Sequence, residues 1–418
     1  MFAQLAPPVA PGRVISTMNP DGSRRWIRPK PSYGRFWSAR RAVAFALVLV
    51  FVLIPYLRMS GKPLILLDLP ARRFTLFGTT FLPTETLLFL MLLLSAAVVI
   101  LFVTALWGRV WCGWACPQTV YMEFLFRPVE RWIEGGWRAS QRFDRKRPFH
   151  PRRLLKYAVY VVFALALAHV FLAYFVGVEE LAVWMRRSPV EHPTSFLVML
   201  GTTTLILLDF GWFREQTCLV ACPYGRLQSA LLDRRSLIVG YDPGRGEPRV
   251  QGVRDRPPGA GDCIACRMCV LTCPTGIDIR DGLQMECIHC TQCMDACDFV
   301  MGRVGKPPGL IRYGSADELA GRAGRGFRSR LVIYPAALAV CVGFLMWGLA
   351  TRTHADVTLL RGLGTPFTIG SDGGVVNQVR IKVANRERED RAYRIALEGA
   401  PEARLVAPIN PFPVGAGR

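Results

Sequence analysis

The stretch Cys263-Ile-Ala-Cys266-Arg-Met-Cys269-Val-Leu-Thr-Cys273-Pro274 is followed by Cys287-Ile-His-Cys290-Thr-Gln-Cys293-Met-Asp-Ala-Cys297. The spacing C-x2-C-x2-C-x3-C therefore occurs twice. Thiolates at this spacing hold [4Fe–4S] clusters: three close cysteines wrap one corner of a cubane and the fourth reaches across to the other cluster. The expected sets are Cys263, Cys266, Cys269 with Cys297, and Cys287, Cys290, Cys293 with Cys273. Pro274 follows the first run; Asp298 takes that place after the second and spares all four ligands. A zinc site uses paired ligands rather than a repeated quartet. A disulfide framework needs an oxidising compartment, against the cytosolic placement argued below. His289 sits inside the second run and is read as tuning the cluster's surroundings, since four thiolates are already present.

Outward from this stretch, 418 residues that are 51% hydrophobic, with positive mean hydropathy, indicate a membrane protein with soluble parts. The formal net charge is +21. In a soluble protein that surplus would suggest nucleic acid. Here it flanks apolar segments, where Lys and Arg set orientation and meet anionic lipid, and no nucleic-acid fold signature accompanies it. Of thirteen cysteines, eight are in the tandem, four form two further pairs, and Cys341 is left over as a packed helix residue. No Walker or Rossmann glycine fingerprint is present.

Residues 1–41 read as a basic, mostly extended cytoplasmic arm, with Arg40-Arg41 as a positive-inside flank rather than a twin-arginine export signal. Five apolar runs follow at Ala42–Leu57, Thr84–Trp107, Leu154–Val176, Ser195–Phe213 and Leu331–Ala350, each read as a membrane span. The Arg109–Arg153 loop is strongly basic and the Gly177–Thr194 loop is not. The positive-inside rule then places the N-terminus, the Arg109–Arg153 loop and the cysteine-rich loop in the cytoplasm and the C-terminus outside. The loop Arg58–Pro83 is a mild exception on the outer side. The domains expected are 1–41, the arm; 42–213, spans one to four; 214–329, the cytoplasmic region with a ferredoxin-like part at about 260–300; 330–350, span five; and 351–418, a small β-domain. Val375–Val383 and Tyr393–Glu398 alternate as strands do, which suggests a β-sandwich that is short for a complete immunoglobulin-like domain.

Two more cysteine pairs share one motif, C-x3-C-P: Cys112-Gly-Trp-Ala-Cys116-Pro117 and Cys218-Leu-Val-Ala-Cys222-Pro223. In a helix, i and i+4 place both sulfurs on one face, and the proline suits the first turn of a new helix. After Pro117, Tyr121, Leu125, Val129, Trp132 and Ile133 fall on one face and Glu123, Arg127, Glu130, Arg131 and Glu134 on the other, as in a helix lying in the membrane interface. Pro128 must kink or interrupt it. Four thiols at one membrane surface suit Cu(I), zinc or dithiol–disulfide cycling. Duplication beside an electron carrier favours metal or redox work over mere packing. His169 and Asp209 lie within spans and read as structural hydrogen-bonding residues, Asp209 within reach of water or Arg214.

The chain resembles the cytochrome-c-oxidase accessory protein family known as CcoG, FixG or RdxA. The resemblance rests on Asp68-Leu-Pro-Ala-Arg-Arg73, Cys112-Gly-Trp-Ala-Cys116-Pro117, Asp209-Phe-Gly-Trp-Phe-Arg-Glu-Gln216, Cys218-Leu-Val-Ala-Cys222-Pro-Tyr-Gly-Arg-Leu-Gln228, Gly240-Tyr-Asp-Pro-Gly-Arg-Gly-Glu-Pro248, the tandem and Gly309-Leu-Ile-Arg-Tyr313. It implies an inner-membrane polyferredoxin-type protein that reduces Cu(II) to Cu(I) for assembly of a cbb3-type oxidase. It further implies that Cys112, Cys116, Cys218 and Cys222 handle the copper, as substrate or transient ligand. The family's immunoglobulin-like outer domain looks shortened here. The expected fold is an α-helical membrane protein of five transmembrane helices with a cytoplasmic two-[4Fe–4S] insertion and a small C-terminal β-sandwich. The partners implied are the lipid membrane, a copper chaperone or oxidase assembly factors and an unidentified electron donor; a homodimer stays open, and nucleic acid is not expected. Two alternatives remain: a membrane quinol dehydrogenase without copper chemistry, and a non-catalytic assembly scaffold.

Overall fold

A computed structural model describes residues 16–19, 21–59, 61–81, 85–146, 150–253, 256–322, 329–353, 355–361, 365, 367–370, 373–386, 389–400 and 402–415. Residues 1–15 of the expected arm, Thr84 at the start of the second apolar run, Arg147 and residues 416–418 lie outside the described residues.

In chain order, α1 (Arg35–Leu53) leads into short strands β1 (Arg58–Met59), β2 (Lys62–Pro63), β3 (Ile65–Asp68), β4 (Arg73–Leu76) and β5 (Thr79–Phe81). Then come α2 (Thr86–Trp107), α3 (Val110–Trp114), α4 (Pro117–Tyr121), a π-helical turn at Met122–Phe126, α5 (Arg127–Glu134), α6 (Trp137–Lys146), α7 (Pro151–Val176), α8 (Val178–Trp184) and α9 (Pro193–Leu208). Two π-helical turns, Asp209–Phe213 and Thr217–Ala221, precede α10 (Pro223–Leu231). The cysteine-rich part holds β6 (Ile238–Tyr241), α11 (Pro243–Gly246), α12 (Met268–Leu271), α13 (Gln292–Arg303), β7 (Ile311–Gly314) and α14 (Ala316–Leu319). After α15 (Arg330–Ala350) come β8 (Ala355–Arg361), β9 (Thr368–Ile369), β10 (Val375–Val376), β11 (Val379–Asn385), β12 (Arg391–Tyr393) and β13 (Phe412–Val414).

Five helical stretches are long and apolar enough to cross a membrane: Arg35–Tyr56, Thr86–Trp107, Pro151–Val176, Pro193–Phe213 and Arg330–Ala350. Their outward side chains are apolar, Leu87, Leu90, Leu197, Leu205 and Trp347 among them. A helix satisfies its own backbone polar groups, so such a surface suits hydrocarbon. The first helix begins at Arg35, seven residues before the apolar run, because Trp37, Arg40 and Arg41 continue it into the polar side.

Contacts divide the chain into two units: residues up to Leu57 with Ala96–Leu338, and Arg58–Ser95 with Ala339–Arg418. In the first unit, β6 and β7 pair antiparallel, Ile238 opposite Gly314 and Tyr241 opposite Ile311. Val239, Ile277, Ile279, Met294, Met301, Leu310 and Ile311 form the core around them. The described part of the N-terminal arm is laid along this core. The Ser16 hydroxyl donates to the Thr275 carbonyl (2.7 Å), Lys30 N–H to the Leu271 carbonyl (2.9 Å), and Ile27 is buried. A second core joins Met122, Phe126, Tyr160 and Phe210; Phe126 stacks on Phe210 at 4.4 Å and meets Tyr160 edge-on at 4.8 Å. Each such side chain contributes roughly 1.5–3 kcal/mol on burial.

Around α5 the charged face is buried against protein: Glu123, Arg127, Glu130 and Glu134 are all buried, while on the apolar face Ile133 is buried and Trp132 is 82% exposed. The burial is compensated by charge pairing. Arg28 and Arg214 pair with Glu130, Lys156 with Glu130 (3.3 Å) and Glu134 (2.8 Å), and Arg127 with Glu123 and Glu215. Buried charges persist where opposite charges meet them. Pro128 stands in the first turn of α5, just after the π-helical turn, so the helix is interrupted ahead of it.

In the second unit, the loop expected over Arg58–Pro83 is instead a β1–β2 hairpin and a β3–β4–β5 antiparallel meander, with Leu66 opposite Thr75 and Thr75 opposite Thr80. Asp68–Arg73 of the family motif closes the β3–β4 turn, where Asp68 accepts from the Ala71 N–H (3.0 Å). β8 and β11 pair antiparallel over seven residues. The expected strand over Val375–Val383 is broken into β10 and β11, which pair with β9 and β8 respectively. The expected strand over Tyr393–Glu398 is extended only as far as Tyr393, where β12 pairs with β13.

Candidate iron–sulfur and thiol centres

Cys269, Cys273, Cys287, Cys290 and Cys293 line one small cavity together with Val239, Ile277, Ile279 and Ile288. Cys297 lies in the electrostatic field of Cys263, Cys266 and Cys269. Cys273 thus lies beside the later run and Cys297 beside the earlier one. Backbone geometry repeats as well. Ala265 and Arg267 have φ of 51° and 58°, and the equivalent His289 and Thr291 have 53° and 60°. A left-handed non-glycine residue costs about 1–2 kcal/mol. Four at matching positions indicate loops shaped to wrap something, with amide groups turned toward it. Sulfur donors in apolar cavities, held by such loops, fit a [4Fe–4S] cluster in each quartet. Each quartet has two buried cysteines, Cys263 and Cys269 in one and Cys287 and Cys290 in the other; the sites differ in that Cys266 is exposed, whereas Cys273 and Cys293 are half-buried.

The two C-x3-C-P motifs meet in one place. Cys112 lies in the field of Cys116 and Cys222, and Cys218 in that of Cys116, Cys112 and Cys222. The Cys112 thiol donates to Gln228 Oε1 (3.0 Å), which ties the first motif to the helix that follows the second. The sulfurs of a pair do not share a helical face. Cys112 is in α3, but Cys116 is extended (ψ 127°) and caps α4; Cys222 is likewise extended (ψ 109°) and caps α10. The residue before a proline is driven out of the helical region, and that reorients the second sulfur. Burial pushes the Cys112 thiol up to about 12 and raises Cys218 as well. At Cys116 burial also raises the value, partly offset by the backbone N–H groups of Gln118 and Thr119. These thiols stay protonated until a cation supplies the charge that burial denies them. Among the described residues no three His, Cys, Asp or Glu side chains converge on a single-ion position, and this holds for the tandem quartets too. Cubane ligands surround a four-iron core rather than one ion. The four thiols lie close enough to feel one another's charge, and thiol donors suit a soft ion.

Cys218 also lines a small cavity with Gln118, Arg127, Glu215, Pro274 and Ile288. Asp209 accepts from Gln118 (3.0 Å) and Thr217 rather than Arg214, whose guanidinium turns to Glu130. His169 Nδ1 is 2.7 Å from the Leu165 carbonyl, one helical turn back. Cys341 is half-buried.

A family model described as a 4Fe–4S dicluster domain matches residues 213–316, and a 4Fe–4S binding domain matches residues 89–139. The latter covers Cys112 and Cys116 only, half of the four-thiol site. The IG-like fold found at the C-terminus of FixG matches residues 345–418. Protein RdxA of Cereibacter sphaeroides is 36% identical over 90% of this chain and 82% of its own length. The chain belongs to the RdxA/FixG family. Nitrogen fixation protein FixG of Rhizobium meliloti is 34% identical over 91% of this chain and 81% of its own. The ferredoxin-type protein NapH of Haemophilus influenzae is 24% identical over 49% of this chain and 65% of its own. No solved structure matches. Family membership, the 4Fe–4S domains and the apolar helices together make this member of the RdxA/FixG family a membrane iron–sulfur electron-transfer oxidoreductase.

Sequence reasoning missed the groups that join the two centres. Arg109 is buried, and its guanidinium donates to the carbonyls of Cys287 (3.1 Å), Met285 and Gly225. Arg40, fully buried, donates to the Gly113 carbonyl (2.8 Å). The available signal was arginine at the edge of apolar runs, which the positive-inside rule accounts for without a contact.

Proposed function

We propose that this protein reduces Cu(II) to Cu(I) at the Cys112, Cys116, Cys218 and Cys222 thiols, for assembly of a cbb3-type cytochrome c oxidase. The observation that carries the reading is the meeting of both C-x3-C-P motifs in one thiol site, fastened directly to the cysteine-rich region. The tandem residues, Cys263, Cys266, Cys269 with Cys297 and Cys287, Cys290, Cys293 with Cys273, would hold two [4Fe–4S] clusters. Bound clusters supply one-electron storage and transfer. One electron turns one Cu(II) into one Cu(I), so the stoichiometry matches. Thiols bind the product better than the substrate, because Cu(I) is the softer ion. Gln228 holds Cys112 in place, and the protons released by metal-bound thiols pass to water. The N-terminus and cysteine-rich region are assigned to the cytoplasm of a bacterium and residues 351–418 to the periplasm, on the distribution of Lys and Arg. Copper would leave to a chaperone or oxidase assembly factor that offers thiolates.

The test is anaerobic purification followed by Cu(II) addition in the presence of a Cu(I) chelator. Cys112→Ala with Cys116→Ala is expected to slow chelator colour development by about tenfold or more while both cluster signals persist. Unchanged rates remove copper from these thiols. Clusters that quinol reduces and Cu(II) never reoxidises would establish a quinol dehydrogenase instead.

A further inference from the structure

The two cysteine quartets are not equivalent in what they touch. His289, between Cys287 and Cys290, is fully buried, and its Nδ1 accepts from the Arg109 backbone N–H (3.2 Å). The Arg109 carbonyl in turn accepts from the Cys112 N–H (3.1 Å). Two hydrogen bonds through the Arg109 backbone thus link the later quartet's loop to the Cys112 main chain of the first C-x3-C-P motif. The Arg109 side chain closes a second route, from the Cys287 carbonyl to the Gly225 carbonyl at the start of α10. Gly113 makes the approach closer still: a Cβ there would lie 2.6 Å from the His289 carbonyl oxygen and 2.7 Å from that of Ile288. Main chain of the Cys112–Cys116 segment therefore rests on main chain of the cluster loop. The earlier quartet has no such junction with either motif among the hydrogen bonds of the described residues, and it carries the exposed Cys266.

We propose that Arg109 and His289 are positioning residues that couple the Cys273/Cys287/Cys290/Cys293 quartet to Cys112, so that electrons enter at the quartet that carries the exposed Cys266 and leave through the one joined to Cys112. The proposal rests on the copper reading for its acceptor. A low-potential one-electron donor is oxidised at the Cys266 side. One electron passes between the quartets, and one Cu(II) at the thiols is reduced to Cu(I). Because the Arg109 N–H must donate, His289 Nδ1 is the acceptor and the ring proton sits on Nε2. Leucine at 289 deletes that acceptor, while asparagine can offer an oxygen in its place.

The experiment uses full-length protein in detergent, loaded with its clusters, and follows each cluster's electron paramagnetic resonance signal in a potentiometric titration and after rapid mixing with Cu(II). His289→Leu is expected to shift the signal and midpoint potential of the later-quartet cluster alone, and His289→Asn to restore them. Reoxidation by Cu(II) should slow about 10- to 100-fold in His289→Leu, the range that displacements of about 1 Å produce in reacting groups. Should His289→Leu not assemble, Arg109→Lys keeps the backbone donor and removes the guanidinium bridge, with the same expectation. A shift in the Cys266-side cluster alone, no shift in either, or Cu(II) reoxidising the Cys266-side cluster first overturns the proposal. Wild-type clusters that Cu(II) never reoxidises, together with a His289→Leu shift confined to the later quartet, would remove the copper reading and leave the junction standing.

Discussion

Glu130 is where the buried ion network is most exposed to a single change. The residue is 2% accessible and its carboxylate faces Arg28, Arg214 and Lys156. Glu130→Ala leaves those three cations with unequal support. Arg28 keeps Asp144 (2.9 and 3.0 Å) and Lys156 keeps Glu134 (2.8 Å). Among the described residues Arg214 keeps Glu215, at 3.5 Å. Removing one partner of a buried pair costs about 3–5 kcal/mol, and each of the three cations retains a carboxylate, so the lower end, about 3 kcal/mol, applies. Glu130→Gln retains an acceptor oxygen and should cost about 1–2 kcal/mol. Urea unfolding in detergent, followed by near-ultraviolet circular dichroism, should place the Glu130→Ala midpoint about 1 M or more below wild type. Glu191→Ala serves as control, because its pair with Arg187 is half exposed (57% and 51%) and such pairs are worth about 0–1 kcal/mol. A Glu130→Ala loss no larger than that of Glu191→Ala would refute a network that holds α5 in place. The pH dependence has a definite sign. Burial opposes the Glu130 charge, but Arg214, Arg28 and Lys156 outweigh it and hold the carboxyl well below its ordinary range. Its contribution is therefore fully present above the unfolded carboxylate pKa and is lost as pH falls through the depressed folded value. The Glu130→Ala difference should shrink only in that acid window.

Cu(I) binding at the four thiols should tighten by about tenfold per pH unit for each proton released, because burial keeps Cys112 and Cys218 protonated near neutrality; chelator competition between about pH 6 and 8 measures it, and a flat profile contradicts it. Gly113→Val drives a side chain into the His289 and Ile288 carbonyls and should cost at least about 1–3 kcal/mol while perturbing the later-quartet cluster's signal; an unperturbed signal argues against the close approach. Cys273→Ser should abolish the cluster of the later run and Cys297→Ser that of the earlier one, read by iron content and resonance spectra; loss in the same-run sense would reverse the ligand sets.

Much of the chemistry was written in the sequence because cysteine spacing is a local constraint. The C-x2-C-x2-C-x3-C runs specify loops whose left-handed positions at Ala265, Arg267, His289 and Thr291 repeat with the motif. Apolar length gave the helices for the same reason, since a span must satisfy its own backbone. What could not be read was decided by partners distant in the chain. The charges of α5 are periodic, but periodicity says only that one face differs from the other. Which face is covered depends on Arg28, Lys156 and Arg214, which come from three other elements. The strands between Arg58 and Phe81 are two to four residues long and were hidden among turn residues. The junction at Arg109 involves backbone carbonyls of Cys287 and Gly225, groups that every residue carries and no motif marks.

The C-x3-C-P motif shows the same division at one site. Read as a helix, its cysteines are i and i+4 and share a face. The proline defeats that reading. It denies the preceding cysteine the helical region, so Cys116 and Cys222 become extended caps while Cys112 and Cys218 stay in helical turns. Each motif therefore delivers one thiol from a helix that is ending and one from a helix that is beginning. Two such breaks bring four thiols into a common field without a straight helix pair to align them. The break also exposes the amide groups that open α4, and these soften the rise in the Cys116 thiol. The spacing alone thus predicted a shared helical face that is not formed, because the proline fixes the direction of the second sulfur more strongly than the helical period does.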